Sequence, residues 1–308
     1  MTFQPRPDAP WDVLGVGANA VDYVYRLPAV PEPQGPNAKM RIRGHLVSCG
    51  GQTATALSTC ASLGLRAKYV GATGHDDNGA RIRHELTRRG VDVADAVVRE
   101  VANPFAVILL DDRTGERIVL WDRDERLALD PAEVPHDLIS SARVVHVDDV
   151  DQAAAIRVAR IAREQGIPVT SDIDRLTDRT EELVAAVSIP IFAEHVPPAL
   201  TGEADLERAL RTLRRFHTGP LCVTLGPKGA MLLDGDVLLH QPAFPIHAVD
   251  TTGAGDVFRG AFIASLLRAD SPQETLRFAN AAAAISCTRL GAMNGVPIVE
   301  DIDEILRS

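Results

Sequence analysis

The chain has 308 residues, of which 45% are hydrophobic and 24% are charged, as in an ordinary globular protein. Its 32 Lys and Arg residues against 42 Asp and Glu residues give a formal net charge of −10. Nonspecific binding to nucleic acid or to an anionic membrane needs a basic surface, so this charge argues against both partners.

The apolar pattern predicts neither a targeting segment nor a membrane span. The N-terminus lacks the apolar core of a signal peptide, and residues 44–65, the longest segment without Lys, Arg, Asp or Glu, are too polar to cross a membrane. The cysteines lie among apolar or small residues, and none is spaced as C-x-x-C. We therefore predict reduced, buried thiols in a cytoplasmic protein, with no disulfide framework or zinc site, at Cys49, Cys60, Cys222 and Cys287.

Short β-branched runs alternate with longer helical patterns along the chain, and no Pro- or Ser-rich linker interrupts them. The alternation predicts one α/β domain over residues 1–308, with a mostly parallel sheet covered by helices on both faces. Strands are predicted at 12–18, 67–73, 143–150, 168–174 and 221–226, with a hairpin turn at 234–236. Helices are predicted at 52–63, 77–89, 152–165, 179–186, 203–217, 254–268 and 273–287.

Three further segments alternate polar and apolar residues in the manner of half-exposed strands. They are residues 23–31, residues 39–45, and a hairpin with strands at about 104–111 and 116–121 whose turn ends at Gly115. A sheet covered on both faces does not need such alternation. We therefore predict a small separate sheet, built from about 20–46 and 98–122, that serves as a lid over a site, as an edge extension or dimer contact, or as both.

Residues 249–262 (VDTTGAGDVFRGAF) carry the strongest local signal. A strand-like segment at 246–249 leads to Gly253-Ala254-Gly255 and then to a helix. Free N–H groups and the dipole at such a helix start form an anion site suited to phosphate. Asp256 in the first turn suits this site if the anion is a group in transfer and the acid handles the incoming nucleophile. Taken alone, the segment also fits a tight turn followed by an acid that stabilises the helix dipole.

The segment resembles the C-terminal signature of the ribokinase-like carbohydrate kinases, the PfkB family. Other segments resemble further family motifs in the family's order, at 17–31, 49–64, 70–93, 223–233 and 278–297. The resemblance covers nearly the whole chain. It implies a ribokinase-like three-layer sandwich with a small β-sheet lid, and ATP-dependent transfer of phosphate to a sugar hydroxyl.

The resemblance also implies in-line phosphoryl transfer. Asp256 would accept the proton of a substrate hydroxyl as that hydroxyl attacks the γ-phosphate of ATP, and the amides of Gly253, Ala254 and Gly255 would stabilise the transferred group. Mg²⁺ would bridge the ATP phosphates. The family positions that hold a monovalent cation, such as K⁺, correspond to Asp250, Thr252 and Gly291.

Binding residues carry over from the matching motifs. Positions that bind the sugar correspond to Asp22, Gly50, Gly51 and Thr55. Positions near the phosphates, ribose and adenine correspond to Thr224, Gly226, Gly229 and Asn280. The resemblance further implies a homodimer formed through the lid sheet, because a partner would cover an exposed edge.

Two more substrate contacts are predicted from position. Arg259 lies one helical turn after Asp256 and could face the substrate, and Asn103 lies on the lid side. Residues 117–126 are rich in arginine. An anionic substituent on the sugar would explain these arginines, and so would solvated salt bridges with neighbouring carboxylates.

The sequence departs from the family at two motifs. Thr55 stands where Asn is usual, and Ala193 and Val196 stand at the Asn and Glu positions of an N-x-x-E motif that is tied to Mg²⁺. Glu194 is either a substitute Mg²⁺-associated carboxylate or a surface charge. With GGQTAT, FAE, HQPAF and CTR, these changes resemble a subgroup that includes sulfofructose kinase. They predict a ketose-like or modified sugar, such as fructose, a sugar acid or sulfofructose.

Three other functions fit parts of the sequence. Residues 15–20 match the G-x-G-x-x-A fingerprint of a dehydrogenase, but a β-prone segment broken by Pro28 and Pro31 follows where that fingerprint needs a helix, so we reject this function. A non-catalytic sugar- or nucleotide-binding regulator stays open because N-x-x-E is lost, although Asp256 argues against it. A nucleoside kinase also stays open, although 4% aromatic residues leave few rings to stack on a second base.

Overall fold

Nine strands form the central sheet of this computed structural model, which describes residues 8–114 and 117–307. From one edge to the other they are β15 (Val237–Gln241), β14 (Ala230–Asp234), β13 (Leu221–Thr224), β12 (Ile189–Ala193), β11 (Val169–Ile173), β10 (Ala142–Asp148), β1 (Trp11–Val16), β4 (Ala67–Val70) and β6 (Val91–Asp92), numbered along the chain. Neighbours from β13 to β6 pair in parallel, and β14 and β15 add the predicted antiparallel hairpin.

Helices cover both faces of this sheet. Alternate strand residues enter two separate cores, so that Val13 packs on one side and Leu14 on the other. One side holds α1 (Gln52–Ser62), α2 (Asp77–Arg88), α8 (Ala254–Leu267), α9 (Pro272–Ser286) and α10 (Val299–Arg307). The other holds α3 (His136–Ser140), α4 (Gln152–Glu164), α5 (Thr180–Ala186), α6 (Val196–Thr201) and α7 (Leu206–Leu213). The predicted α/β class is confirmed.

A four-stranded sheet stands beside the central one. Its strands, in order, are β3 (Gly44–Gly50), β2 (Ala20–Leu27), β8 (Phe105–Asp111) and β9 (Arg117–Asp122), and we call it the lid sheet. A separate two-stranded sheet joins β5 (Ala72–Gly74) to β7 (Val97–Arg99). The predicted strand at 39–45 is wrong over most of its length, because the ladder with β2 begins only where Arg26 pairs with Gly44. The predicted turn residue Gly115 lies outside the described residues.

Three other predictions need correction. Residues 246–249 are not a strand; Val249 instead donates its N–H to the carbonyl of Cys287 at 2.7 Å. The strand predicted at 67–73 is broken at Gly71, where a Cβ would collide with the Tyr69 side chain and the Gly17 carbonyl. The predicted helix at 203–217 shortens to α7, and α10 was not predicted.

The predictions about a membrane span and about the cysteines can be checked among the described residues. None of their helices combines the length and apolar character that a membrane crossing requires. The cysteines are free thiols, as predicted, and three of them are buried, whereas Cys287 is only partly buried.

The strand order reverses at β1, which lies between β10 and β4. In open α/β sheets, ligands bind outside the carboxyl ends of the strands at such a reversal. Helices α1 and α8 pack closely above this point, because Gly260 leaves room for the carbonyl of Ala56. The starts of α1 and α8, each of which carries one of the two glycine motifs, therefore lie side by side.

Candidate active site

Backbone amides at the start of α8 form the centre of the site. Gly253 caps the helix with φ 79° and ψ 0°, a left-handed conformation, and a Cβ there would lie 2.6 Å from the Cβ of Ala292. The N–H of Val257 donates to Gly253, whereas the N–H groups of Gly255 and Asp256 donate to no acceptor in the described chain. Helix α8 thus presents free donors and the positive end of its dipole.

Asp250 holds the loop before this helix. Its two carboxylate oxygens accept hydrogen bonds from the N–H groups of Thr252 and Gly291, each at 2.9 Å. The buried hydroxyl of Thr252 has no hydrogen-bond partner among the described residues. The structure therefore brings together the three residues predicted to hold a monovalent cation, and their role as ligands stays a prediction.

Asp256 projects from the first turn of α8. Burial of the carboxyl raises the pKa of Asp256 well above its ordinary value, and the carboxylate of Asp172 raises it further, whereas Arg259 lowers it. The Asp172 carboxyl therefore lies close enough to Asp256 to affect its ionisation. A raised pKa makes Asp256 a stronger base than an exposed aspartate.

Arg259 lies beneath the site and not in its wall, which differs from the predicted substrate contact. Its guanidinium forms an ion pair with Asp172 at 2.7 Å and donates to the carbonyl of Ile191 at 3.3 Å. Only 4% of its side chain is exposed. The reason is the packing of α8, which turns the Arg259 face toward β11 and β12.

Asp22 and the two glycines of the 49–64 motif lie on the lid side. Asp22 is buried, and its carboxylate has no hydrogen-bond partner in the described chain. Burial, and secondarily the charge of Asp250, raise the pKa of Asp22 to about 6. A Cβ on Gly50 would lie 2.5 Å from the Asp22 carboxylate, and Gly51 has φ 98° with Asn19 backbone directly against it. The geometry leaves a buried carboxylate beside the backbone of these two glycines.

Thr55 and Asn103 differ in how they are satisfied. The buried Thr55 hydroxyl has no hydrogen-bond partner within the described residues, and its predicted role in sugar binding stays a prediction. Asn103 accepts from the N–H of Gly74 at 3.0 Å and donates to the carbonyl of Pro104 at 3.1 Å. Backbone groups use the oxygen and one N–H of its amide, so Asn103 fixes a loop in this structure, and its role as a substrate contact stays a prediction.

The predicted nucleotide residues surround the turn between β13 and β14. Gly226 and Gly229 have φ of 55° and 96°, and a Cβ on Gly229 would collide with the carbonyl of Gln241. Asn280 on α9 donates to the same carbonyl at 2.8 Å. Thr224, at the end of β13, donates to the carbonyl of Phe192 at 3.3 Å.

Glu194 directly follows β12 and lies beside the turn between β13 and β14. Its carboxylate forms an exposed ion pair with Lys228 at 2.8 Å. Among residues 8–114 and 117–307, no three His, Cys, Asp or Glu side chains are grouped to hold a metal ion. Mg²⁺ is commonly held by one or two carboxylates together with substrate phosphates, and this donor set fits only that kind of binding.

Acidic residues at the ends of β10 and β11 were not predicted to matter. Asp148 accepts from the N–H of Ala18 at 2.6 Å and from the Thr53 hydroxyl at 2.7 Å, and so joins the end of β1 to α1. Asp172 forms the ion pair with Arg259. Asp148 and Asp172 each follow a run of buried strand residues in the sequence, and that position is the signal that could have identified them.

The arginines of residues 117–126 divide between the two explanations given for them. Arg126 pairs with Asp124 at 2.6 Å, and Arg123 pairs with Asp151 at 2.8 Å. Arg117, on β9, instead donates to the hydroxyl of Thr251, next to the Asp250 loop. The lid sheet therefore contacts the α8 start through a cation that has no carboxylate partner among the described residues.

Comparison with known proteins gives concordant matches. The family model described as pfkB family carbohydrate kinase matches residues 20–299. The chain is 32% identical to an ATP-dependent ribose-1-phosphate kinase of Halopiger xanaduensis over 91% of this chain and 93% of that protein. It is 29% identical to a nucleoside kinase of Methanothermobacter thermautotrophicus over 93% and 92%.

Solved structures agree. An Agrobacterium tumefaciens protein provisionally described as a ribokinase has a TM-score of 0.90 and 29% identity, over 96% of this chain and 97% of that one. The predicted ribokinase-like fold is therefore confirmed.

Proposed function

The chain belongs to the pfkB family of carbohydrate kinases and is an ATP-dependent phosphotransferase, and we propose that it phosphorylates a hydroxyl of a small sugar with Asp256 as the base. The observation that carries this proposal is the placement of the Asp256 carboxyl beside unpaired amides at the start of α8. A protein that only bound sugar or nucleotide would gain nothing from a carboxylate next to a bound phosphate.

The described residues support a stepwise account of the transfer. The Asp22 carboxylate accepts hydrogen bonds from sugar hydroxyls and orients the acceptor hydroxyl toward the γ-phosphorus. A bond forms between that oxygen and phosphorus while the bond to the β-phosphate oxygen breaks, and ADP leaves. Asp256 takes the hydroxyl proton late, as bond formation acidifies it. The amides of Gly255 and Asp256 stabilise the transferred group.

Cation and assembly requirements extend this proposal. Mg²⁺ bound with ATP would neutralise phosphate charge. Asp250, Thr252 and Gly291 support a K⁺ site next to the α8 start, because Asp250 already organises that loop. The exposed apolar residues of β9, with Trp121 67% exposed, support a homodimer through the lid sheet of a cytoplasmic protein. Sedimentation that returned only monomer would contradict the dimer.

A ketose-like or modified sugar is the proposed substrate, because several short segments resemble the sulfofructose kinase subgroup. Arg117 supports an anionic substituent, since it is a lid cation without a carboxylate partner in the described chain. A similarity to a ribose-1-phosphate kinase agrees with an anionic sugar. A nucleoside kinase is the second candidate, favoured by the 29% identity to such an enzyme.

A coupled assay of ADP release tests the function. We expect ATP turnover that depends on one of fructose, sulfofructose, sugar acids or ribose 1-phosphate, that EDTA abolishes, and that K⁺ raises relative to Na⁺. Turnover only with nucleosides would establish the second candidate. Saturable sugar binding without ADP release, by the same preparation, would contradict the kinase and favour the regulator.

Replacing Asp22 with Asn is expected to stabilise the protein at pH 8 and to weaken its binding of sugar. The raised pKa means that the folded protein loses stability as pH rises from about 4 to about 6, and above pH 6 the full cost of about 3 kcal/mol applies. Thermal unfolding at pH 8 should therefore show Asp22→Asn to be more stable by about 1–3 kcal/mol, with less gain at pH 4. The sugar KM should rise about 10–100-fold, because charge-assisted hydrogen bonds are lost, while the KM for ATP stays constant.

Asp12→Asn provides the matched control. The Asp12 carboxylate is also partly desolvated, but hydrogen bonds and charge from Arg66 and Arg143 lower its pKa below the ordinary value. This variant should lose stability at pH 8, opposite in sign to Asp22→Asn, and keep its sugar KM. An Asp22→Asn protein with unchanged stability and sugar KM would remove Asp22 from the site.

A further inference from the structure

A buried charged pair lies directly beneath the proposed base. Asp172, at the carboxyl end of β11, and Arg259, one turn along α8 from Asp256, form their ion pair with 3% and 4% of their side chains exposed. Asp172 also acts on Asp256, since its carboxyl raises the pKa of that residue, and Asp256 lies on the same face of α8 as Arg259. The three groups therefore form one cluster.

Helix geometry explains why Arg259 reaches this position. Side chains on a helix lean toward its N-terminus, and residues three apart share a face. The Arg259 guanidinium passes under the first turn, where a Cβ on Gly255 would lie 2.7 Å from its Nη1. Glycine at 255 thus leaves the space that the guanidinium occupies.

The ion pair leaves some of its own hydrogen-bonding atoms without partners. Its short contact is not directed as a hydrogen bond, and Arg259 Nε and Asp172 Oδ1 have no hydrogen-bond partner among the described residues. A buried ion pair is often no more stabilising than apolar residues of similar volume. Fold stability therefore does not account for a charged pair at this point, whereas contact with the base does.

We propose that Arg259 and Asp172 are positioning residues that hold the Asp256 carboxyl toward the acceptor hydroxyl. Arg259 favours the ionised carboxyl that can accept a proton, and Asp172 opposes it, so the two adjust Asp256 in opposite directions. The inference rests on the proposed role of Asp256 as the base.

Other titratable groups lie near this cluster on or after strands β10, β11 and β13. His146 on β10 is buried and neutral, because burial and the charge of Arg259 lower its pKa to about 3. Carboxylates at the ends of β10 and β11 also act on Asp256 or Asp172, namely Asp148, Asp149 and Asp174, and the buried Cys222 thiol on β13 lies within reach of the Arg259 charge. All remain in place in the variants below, so shifts between variants report on the pair.

The test is the pH dependence of kcat/KM with the substrate identified above. Arg259→Met should move the acidic limb up by about one pH unit, because Asp256 loses the cation that favours its ionised form, and Asp172→Asn should move it down. We expect kcat at pH 7 to fall about 10²-fold in Arg259→Met, with unchanged KM for ATP and partial recovery at pH 9. In Arg259→Lys, the acidic limb of kcat/KM should lie at a pH between those of the unsubstituted protein and Arg259→Met.

Folding is controlled separately. If Arg259→Met or Asp172→Asn alone does not fold, the double variant, which removes both charges, should fold and place its limb between those expected for the single variants. Ser171→Ala, on the opposite face of β11, should leave the limb unchanged. Limbs that do not move in folded variants, or that move in the same direction, would overturn the positioning role. Retained activity in Asp256→Asn would instead overturn the proposed base.

Discussion

Asp256→Asn is expected to lower kcat about 10²–10⁴-fold, the usual loss when a positioned general base is removed. The amide keeps the shape of the side chain and can still contact the acceptor hydroxyl, but it cannot take a proton. The KM values for ATP and sugar should therefore change little. Because the folded state raises the pKa of Asp256, the variant should also be more stable at pH 8.

Asp77→Asn is the matched control for this substitution. Asp77 is an exposed acid in the first turn of α2, and Asp256 likewise lies in the first turn of α8. If Asp256 served only the helix dipole, both variants would lose about 0.3–1 kcal/mol of stability and neither would lose activity. Steady-state kinetics of the two proteins side by side distinguishes these roles, and equal activities would exclude Asp256 as a base.

Gly253→Ala is expected to lower kcat about 10²–10³-fold, comparable to the removal of a donor that stabilises transferred charge. A Cβ at this position would lie 2.6 Å from the Cβ and 2.9 Å from the Cα of Ala292, so the start of α8 must shift. The shift displaces the amides of Gly255 and Asp256 from the phosphoryl group. The measurement is kcat with saturating ATP and sugar.

Gly166→Ala separates this displacement from backbone strain. Gly166 has φ 73°, close to that of Gly253, but a Cβ there meets nothing within 4 Å. It lies in the turn before β11, at the amino ends of the strands, whereas the site lies at their carboxyl ends. Both variants should lose about 1–2 kcal/mol of stability from the left-handed backbone, but only Gly253→Ala should lose activity. Equal kcat values would contradict the amide site.

Periodicity in the sequence predicted most of the central sheet and its covering helices. The β-branched runs and the amphipathic or Ala-rich helices lie within a few residues of their observed bounds, because local pattern and burial agree there. The pattern misled at 246–249, where alternation is present but no neighbouring strand offers a ladder. It also could not show the break at Gly71, which depends on contacts with Tyr69 and Gly17.

The site was predictable where a motif fixes the backbone and less so where a side chain could turn either way. Asp250, Thr252 and Gly291 lie together because Asp250 bonds both loops. Spacing places Arg259 on the Asp256 face of α8, yet only the packing of α8 on β11 shows that this face points inward. Asn103 could not be assigned from sequence, because its partners Gly74 and Pro104 are set by the loop conformation.

A structure of the protein with ADP, aluminium fluoride and the sugar identified by ADP release would test the central claim most directly. We expect the fluoride ligands to accept hydrogen bonds from the amides of Gly255 and Asp256, with the Asp256 carboxyl about 3 Å from the sugar oxygen that faces the aluminium. An anion bound away from the α8 start, or an Asp256 carboxyl directed away from that oxygen, would contradict it.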